Sequence, residues 1–250
     1  MSTIDEPGTD TLKCGSWDKE VQKVVVCCIA TVDVIRQATE WGADLIITHE
    51  STFYEHMDNK LENDSVTKEK LALIENAGVS IFRFHNYMHT CAPDMIGEGE
   101  FYYFGLEGEF IKGNRLAVNR FLCKKEITPL ELAKMMEERL GIKHIRICGE
   151  RDILCTKISA CFGTPGGVFD ELRDDDIEIV LTGEACEWQL GEYARDAAAL
   201  GQKKALLIMG HIGSEREGMK YTANWIKNRF PDLTVTYFEC GEVYTYTDSG

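Results

Sequence analysis

Apolar runs of strand length alternate with amphipathic stretches of helical period at both ends of this chain. Residues 21–29 read as a strand, 31–41 as a helix stopped by Gly42, and 45–48 as a second strand. A polar loop over 58–64 leads into a helix over 66–76 with Gly78 after its end, and 79–84 is the third strand. Strand and helix alternating in this way predict parallel pairing with right-handed crossovers.

The middle of the chain is less regular. Residues 107–120 are glycine-rich, ahead of a short strand over 116–123. Thr128 as N-cap, Pro129 at the first helical position and Glu131 three residues after the cap form a capping box with the favoured proline. Leu132, Met135, Met136 and Leu140 continue that helix at core spacing until Gly141. Strands over 144–148, 157–162 and 177–181, and a helix over 186–200 ending at Gly201, complete the middle. The last part returns to the opening pattern, with strand 205–209, helix 214–230 and strand 233–238. The fold class expected is α/β, as two interlinked lobes with mainly parallel sheets. The first lobe is placed at 1–110 and the second at 111–202. Residues 203–250 are expected to return to the first lobe and to a cleft, where ligands bind.

Composition narrows the classes. At 44% hydrophobic and 28% charged residues the chain is an ordinary globular protein, and no run approaches the roughly 18–20 apolar residues of a membrane helix. The first eleven residues are polar and acidic, without the pattern of a secretion signal. Ten cysteines occur without a Cys-x-x-Cys spacing, and several sit in apolar runs. They read as reduced, mostly structural thiols, and the expected location is cytoplasmic. A net charge of −15 disfavours nucleic-acid backbones; a small anionic substrate stays open, because bound metal ions reverse the local field.

The chemistry gathers just past three apolar strands. His49 and Glu50 close the run 43–50; His85 and His89 follow 79–84; Gly210-His211-Ile212-Gly213-Ser214-Glu215 follows 205–209. In open parallel sheets ligands bind outside the carboxyl ends of the strands, so His49, Glu50, His89, His211 and Glu215 are candidate metal ligands. Imidazole with carboxylate suits zinc, iron, manganese, cobalt or nickel, and argues against an all-oxygen calcium site. Two such ions about 3.5–4 Å apart share a bridging water and make it a nucleophile near neutral pH. Hydrogen-bonded histidines at strand ends account for the same spacing, which leaves both readings open. Glu184, after a further strand, reads as a general base, a partner to a ligand, or a solvated carboxylate. The loop 163–167 is either an anion cradle or a plain tight turn; it lacks the Gly-Lys-Ser/Thr of a P-loop. His56 and His144 read as structural.

With these segments assembled, the chain resembles the Nif-three-like family of dinuclear metal proteins, also known as GTP cyclohydrolase I type 2 homologs. The carrying segments are 42–50, 85–89, Thr182-Gly183-Glu184 and 210–215, in family order. The resemblance implies a two-lobed α/β fold, a pair of divalent metal ions in a cleft, and a hexameric homo-oligomer. It carries the metal role to His49, Glu50, His89, His211 and Glu215. Two positions depart from the family pattern: Glu50 stands where a second histidine is usual, and His89 where an aspartate is usual. The exchange keeps three imidazoles and two carboxylates. His85 matches a family histidine near the metals that binds, positions or exchanges protons.

The leading expectation is a two-metal hydrolase acting on a small, nucleotide-like molecule, with His85 or Glu184 handling protons. The alternative is a non-catalytic, metal-binding regulatory or scaffold protein. A metal-free structural module is the third reading.

Overall fold

The computed structural model describes residues 8–59, 63–113, 115–164 and 166–247. Residues 60–62 of the polar loop, Pro165 of the 163–167 loop, and the chain through residue 7 lie outside the described residues. In chain order the strands are β1 (Thr11–Cys14), β2 (Lys23–Cys27), β3 (Leu45–Thr48), β4 (Ser80–Arg83), β5 (Gly108–Ile111), β6 (Asn119–Ile127), β7 (Arg146–Gly149), β8 (Cys155–Cys161), β9 (Ile179–Thr182), β10 (Ala205–Ile208) and β11 (Thr234–Tyr237). The α-helices are α1 (Val32–Trp41), α2 (Ser65–Ala77), α3 (Asn86–His89), α4 (Met95–Phe104), α5 (Pro129–Leu140), α6 (Val168–Arg173), α7 (Glu192–Ala199) and α8 (Arg216–Arg229). They form a mixed α/β fold with two sheets whose centres are parallel. The chain divides into two compact units: the residues up to His89 together with those from Met219 onward, and Thr90–Gly218.

In the first unit the sheet order is β1-β4-β3-β2-β11. Strands β11, β2, β3 and β4 run parallel, and β1 lies antiparallel along β4. The apolar run of β2 suits a strand covered on both faces. Helix α1 starts where the Thr31 hydroxyl accepts the Val34 N–H at 3.2 Å, and it stops at Gly42, whose φ is +79°. Its buried residues Val34, Ile35 and Ala38 pack in one cluster with Val25, Ile46 and Ile81. Each large apolar side chain so buried contributes about 1.5–3 kcal/mol. Because β3 and β4 are parallel, His49 and His85 emerge from the same edge of this sheet.

In the second unit the order is β5-β6-β8-β9-β10-β7. Its central strands β8, β9 and β10 are parallel, with antiparallel β6 and β7 on their flanks. The expected capping box is formed: Thr128 Oγ1 accepts the Glu131 N–H at 3.1 Å, and the Glu131 carboxylate accepts the Thr128 N–H at 2.9 Å. Arg120 on β6 is held in a fork by Glu171, with Nε and Nη2 donating at 2.7 and 2.9 Å. Ser159 on β8 donates to the same carboxylate at 2.7 Å, so this buried charge is paired and hydrogen-bonded.

Several sequence expectations move. The lobe boundaries placed at 110 and 202 fall instead after His89 and Gly218. Strand β10, assigned to the returning segment, is hydrogen-bonded between β9 and β7 of the second sheet. The strand expected over 116–123 lies at Asn119–Ile127, paired with β5 inside the stretch read as irregular. Helix α4 was not expected, since Gly97 and Gly99 lower helix propensity. Tertiary packing overrides that, because a Cβ at Gly97 would overlap the side chain of Asn119. The helix expected over 186–200 opens as a π turn, Glu187–Gly191, before α7. No helix among the described residues is long and apolar enough to cross a membrane.

Candidate functional site

In the first unit, His49, Glu50, His85 and His89 are brought together by the ends of β3 and β4 and by the short helix α3. The three imidazoles offer ligand atoms that all lie within 4.8 Å of one another, a group that could hold a metal ion. His49 stacks on His85 with ring centroids 4.4 Å apart, and His89 stands edge-on to both, at 5.1 and 4.8 Å. His49 is fully buried and its Nδ1 lies 3.1 Å from the Phe84 carbonyl. A carbonyl only accepts, so Nδ1 carries the proton and Nε2 presents the lone pair. Burial first, then the His85 and His89 imidazoles, push the His49 imidazole well below its usual range. It therefore stays neutral, the form that binds metals.

His85 is fixed from both sides. Its Nδ1 donates to Asn86 Oδ1 at 3.0 Å, and its Nε2 faces Glu50 Oε1 at 3.4 Å. The Asp10 carboxylate accepts the backbone N–H groups of His85, Asn86 and Tyr87 at 2.9, 2.7 and 3.3 Å, which sets the first turn of α3. The other Glu50 oxygen is held by Arg83 Nη2 at 3.1 Å. Arg83 is completely buried; its Nε donates to the His49 carbonyl at 2.9 Å and its Nη1 to the His56 carbonyl, with Asp58 Oδ2 at 3.7 Å. One buried guanidinium thus orients both residues of the His49-Glu50 pair. His56, read as structural, takes part through its backbone.

In the second unit, the parallel strands β8, β9 and β10 deliver Gly163-Thr164, Gly183-Glu184 and Gly210–Glu215 to one sheet edge. His211 Nδ1 lies 2.7 Å from Glu184 Oε1 and 3.1 Å from Thr164 Oγ1, while its Nε2 lies 3.2 Å from Glu215 Oε2. Glu184 accepts the Nδ1 proton and so turns Nε2 toward Glu215, as the partner of a metal-ligating histidine does. Ser214 ties the loops together: its hydroxyl accepts the Gly163 N–H at 2.9 Å and donates to the His211 carbonyl at 2.8 Å. The helix expected over 214–230 starts later, so Glu215 stands just ahead of it and does not share a helix with His211. A 3₁₀ turn, Ile212–Ser214, lies between them, and α8 begins at Arg216. Gly163 has φ +66°, and a Cβ there would overlap Glu215 Oε1. Gly163 is therefore packed directly against the His211 cluster. Beside it lies a cavity of about 370 Å³ lined by Thr164, Gly166, Phe169, Glu184 and Gln189, among others.

The sequence reading assigned no role to Arg83, Asp10, Thr164 or Ser214. Thr164 and Ser214 stand inside segments already singled out, whereas Arg83, a charge inside an apolar strand, was the overlooked signal.

Residues 2–242 match the family described as Duf34/NIF3 (NGG1p interacting factor 3). A GTP cyclohydrolase 1 type 2 homolog of Buchnera aphidicola is 21% identical over 230 residues, which span 89% of this chain and 85% of that protein. The solved structure of protein ybgI, of unknown function, matches with a TM-score of 0.80 at 20% identity, covering 96% of this chain and 93% of that one. A Bacillus cereus protein related to NIF3 matches with a TM-score of 0.74 at 13% identity, with the same coverages. These structures share the fold, and by the match over nearly its whole length the chain belongs to the Duf34/NIF3 family.

Proposed function

We propose that this chain is a dinuclear divalent-metal protein that acts as a hydrolase on a small, nucleotide-like molecule. The proposed metal ligands are His49, Glu50, His89, His211 and Glu215. One observation carries the reading. In both units an imidazole gives its Nδ1 proton to an oxygen and turns Nε2 toward a carboxylate, His85 to Glu50 at 3.4 Å and His211 to Glu215 at 3.2 Å. A lone pair and a carboxylate at such distances are satisfied by a shared cation, a proton or a metal ion. The neutral, buried His49 beside two further imidazoles favours the metal. A divalent ion, when bound, supplies Lewis acidity.

The chain's own residues do the rest. Glu184 fixes the His211 tautomer; Arg83 and Asp10 fix Glu50 and the His85 backbone; His85, facing Glu50, is placed to hold a proton. The cavity beside Glu184 is of a size that takes small organic ligands, and the nucleotide-like class comes from the names of the relatives. A hexameric assembly, part of the same proposal, is testable by sedimentation velocity.

The test is a screen of purified protein against nucleotides, with metal, with chelator, and as His211→Ala. Turnover that follows the metal and disappears in the variant supports the hydrolase. Stoichiometric metal without turnover of any compound would instead favour the regulatory or scaffold reading.

A further inference from the structure

A cleft of about 630 Å³ lies wholly within the second unit, between residues 90–94, which lead into α4, and residues 110–120 of the β5–β6 hairpin. Strand register sets its wall. Ile111 is opposite Arg120, and a Cβ at Gly113 would lie 2.9 Å from the Val118 carbonyl oxygen. These two pairs bracket Lys112 and place it opposite Asn119, two residues on from Phe110 and so on the same face as that ring. The Phe110 ring is held edge-on by Phe101 and Phe121, with its centroid 5.3 Å from each.

Asn119 is only 4% exposed; its Oδ1 accepts the Asp94 N–H at 3.1 Å, while its Nδ2 has no hydrogen-bond partner among the described residues. The exposed Lys112 ammonium has no partner among them either. Arg115 is ion-paired to Asp170, but both side chains are half-exposed, and such a pair is weak enough to be shared. Arg120 is already held by Glu171 and Asp174. Asp94 caps α4 by accepting the Gly97 N–H at 3.0 Å. In a chain of net charge −15, this wall carries three cations, Lys112, Arg115 and Arg120, and one carboxylate, Asp94.

We propose that the cleft binds a small organic carboxylate, its oxygens on Lys112 Nζ and Asn119 Nδ2 and its apolar body against Phe110 and Leu116. A buried amide N–H is costly to leave unpaired, and a ligand oxygen supplies the acceptor it lacks. One ammonium without a counter-ion balances one negative charge, which suits a carboxylate better than the nearly double charge of a phosphate ester. Leu116, a large apolar side chain left exposed, also lines the cleft, and apolar walls with a few placed polar groups are the makeup of a small-molecule site. Nothing in this assignment depends on the proposed metals or on the cavity beside Glu184.

The experiment titrates the full chain with naphthoate, phenylacetate and octanoate by isothermal titration calorimetry, in chelator so that no bound metal holds the acid. Saturable binding of naphthoate at a single site is expected. It is expected to be about tenfold weaker for the neutral naphthamide and in Lys112→Met, because a hydrogen bond to a charged group is lost. Lys112→Arg restores the affinity, and Leu116→Ser weakens it while keeping the preference for the acid. Circular dichroism confirms that each variant is folded, and His211→Ala binds as the wild type does. No saturable binding of any of the three acids would overturn the site, as would equal affinity for naphthamide or an unchanged affinity in Lys112→Met. Phenyl phosphate binding more tightly than phenylacetate would overturn the carboxylate assignment, and loss of binding in His211→Ala would move the acid to the other cluster and overturn the cleft.

Discussion

Replacing Gly163 with alanine probes how tightly the 163–167 loop is fitted to the His211 cluster. Gly163 has φ +66°, and an added Cβ would overlap Glu215 Oε1 and lie 3.2 Å from Glu215 Cδ. The left-handed backbone costs an L-residue about 1–2 kcal/mol. Glu215 is only 2% exposed, so displacing it from His211 disturbs a buried charged contact, a further 1–3 kcal/mol or so. The expected loss is thus about 2–5 kcal/mol, with weakened metal retention because a ligand moves. Gly166, in the same loop, has no heavy atom within 4 Å of an ideal Cβ, and Gly166→Ala is expected to change stability by less than about 0.5 kcal/mol. Urea unfolding followed by tryptophan fluorescence gives both values, and elemental analysis gives the metal. Equal stabilities and metal contents for the two variants would refute the fit described for this loop.

Other expectations are shorter to state. Glu184→Ala leaves the fold intact but lowers metal affinity about 10–100-fold, because His211 loses the partner that sets its tautomer; competition with a chelating dye reads this, and unchanged affinity contradicts it. Arg83→Met leaves Asp58 buried with only Lys13, at 3.7 Å, as a paired cation among the contacts described, and is expected to cost about 3–5 kcal/mol in unfolding free energy. A loss below about 1 kcal/mol would show that Arg83 does not organise the site. Glu100 is fully buried, and its carboxyl is pushed well above the usual value of 4.5 by burial and then by the Glu217 charge. The protonated folded form makes its stabilisation complete below 4.5, and this is lost as pH rises through the folded value, at up to about 1.4 kcal/mol per pH unit. Glu100→Gln removes that slope, so the variant gains on the wild type as pH rises; parallel stability profiles would contradict this.

What was legible in the sequence was what local physics decides. Thr31 with Gly42, and Thr128 with Pro129 and Glu131, mark helix ends by contacts made within a few residues. The parallel β2-β3-β4 run follows from short apolar strands separated by helices. Helix α4 was harder: Asp94 caps it by accepting the Gly97 N–H at 3.0 Å, but its glycines are chosen for contact with Asn119 on β6. The histidines and glutamates could be named from their place after strands. Their partners could not, because Arg83 meets Glu50 and Asp58, and Thr164 meets His211, across long stretches of chain. Only sheet register brings such residues together, and a one-residue change of register would remove them.

The most direct test of the central claim is the metal content of protein purified without chelator, measured for the wild type, His49→Ala and His211→Ala with circular dichroism to confirm folding. The proposed function predicts two divalent ions per chain in the wild type and a loss in each variant, since His49 and His211 are both proposed ligands. Full metal in either folded variant, or none in the wild type after reloading with zinc, manganese or iron, would contradict it.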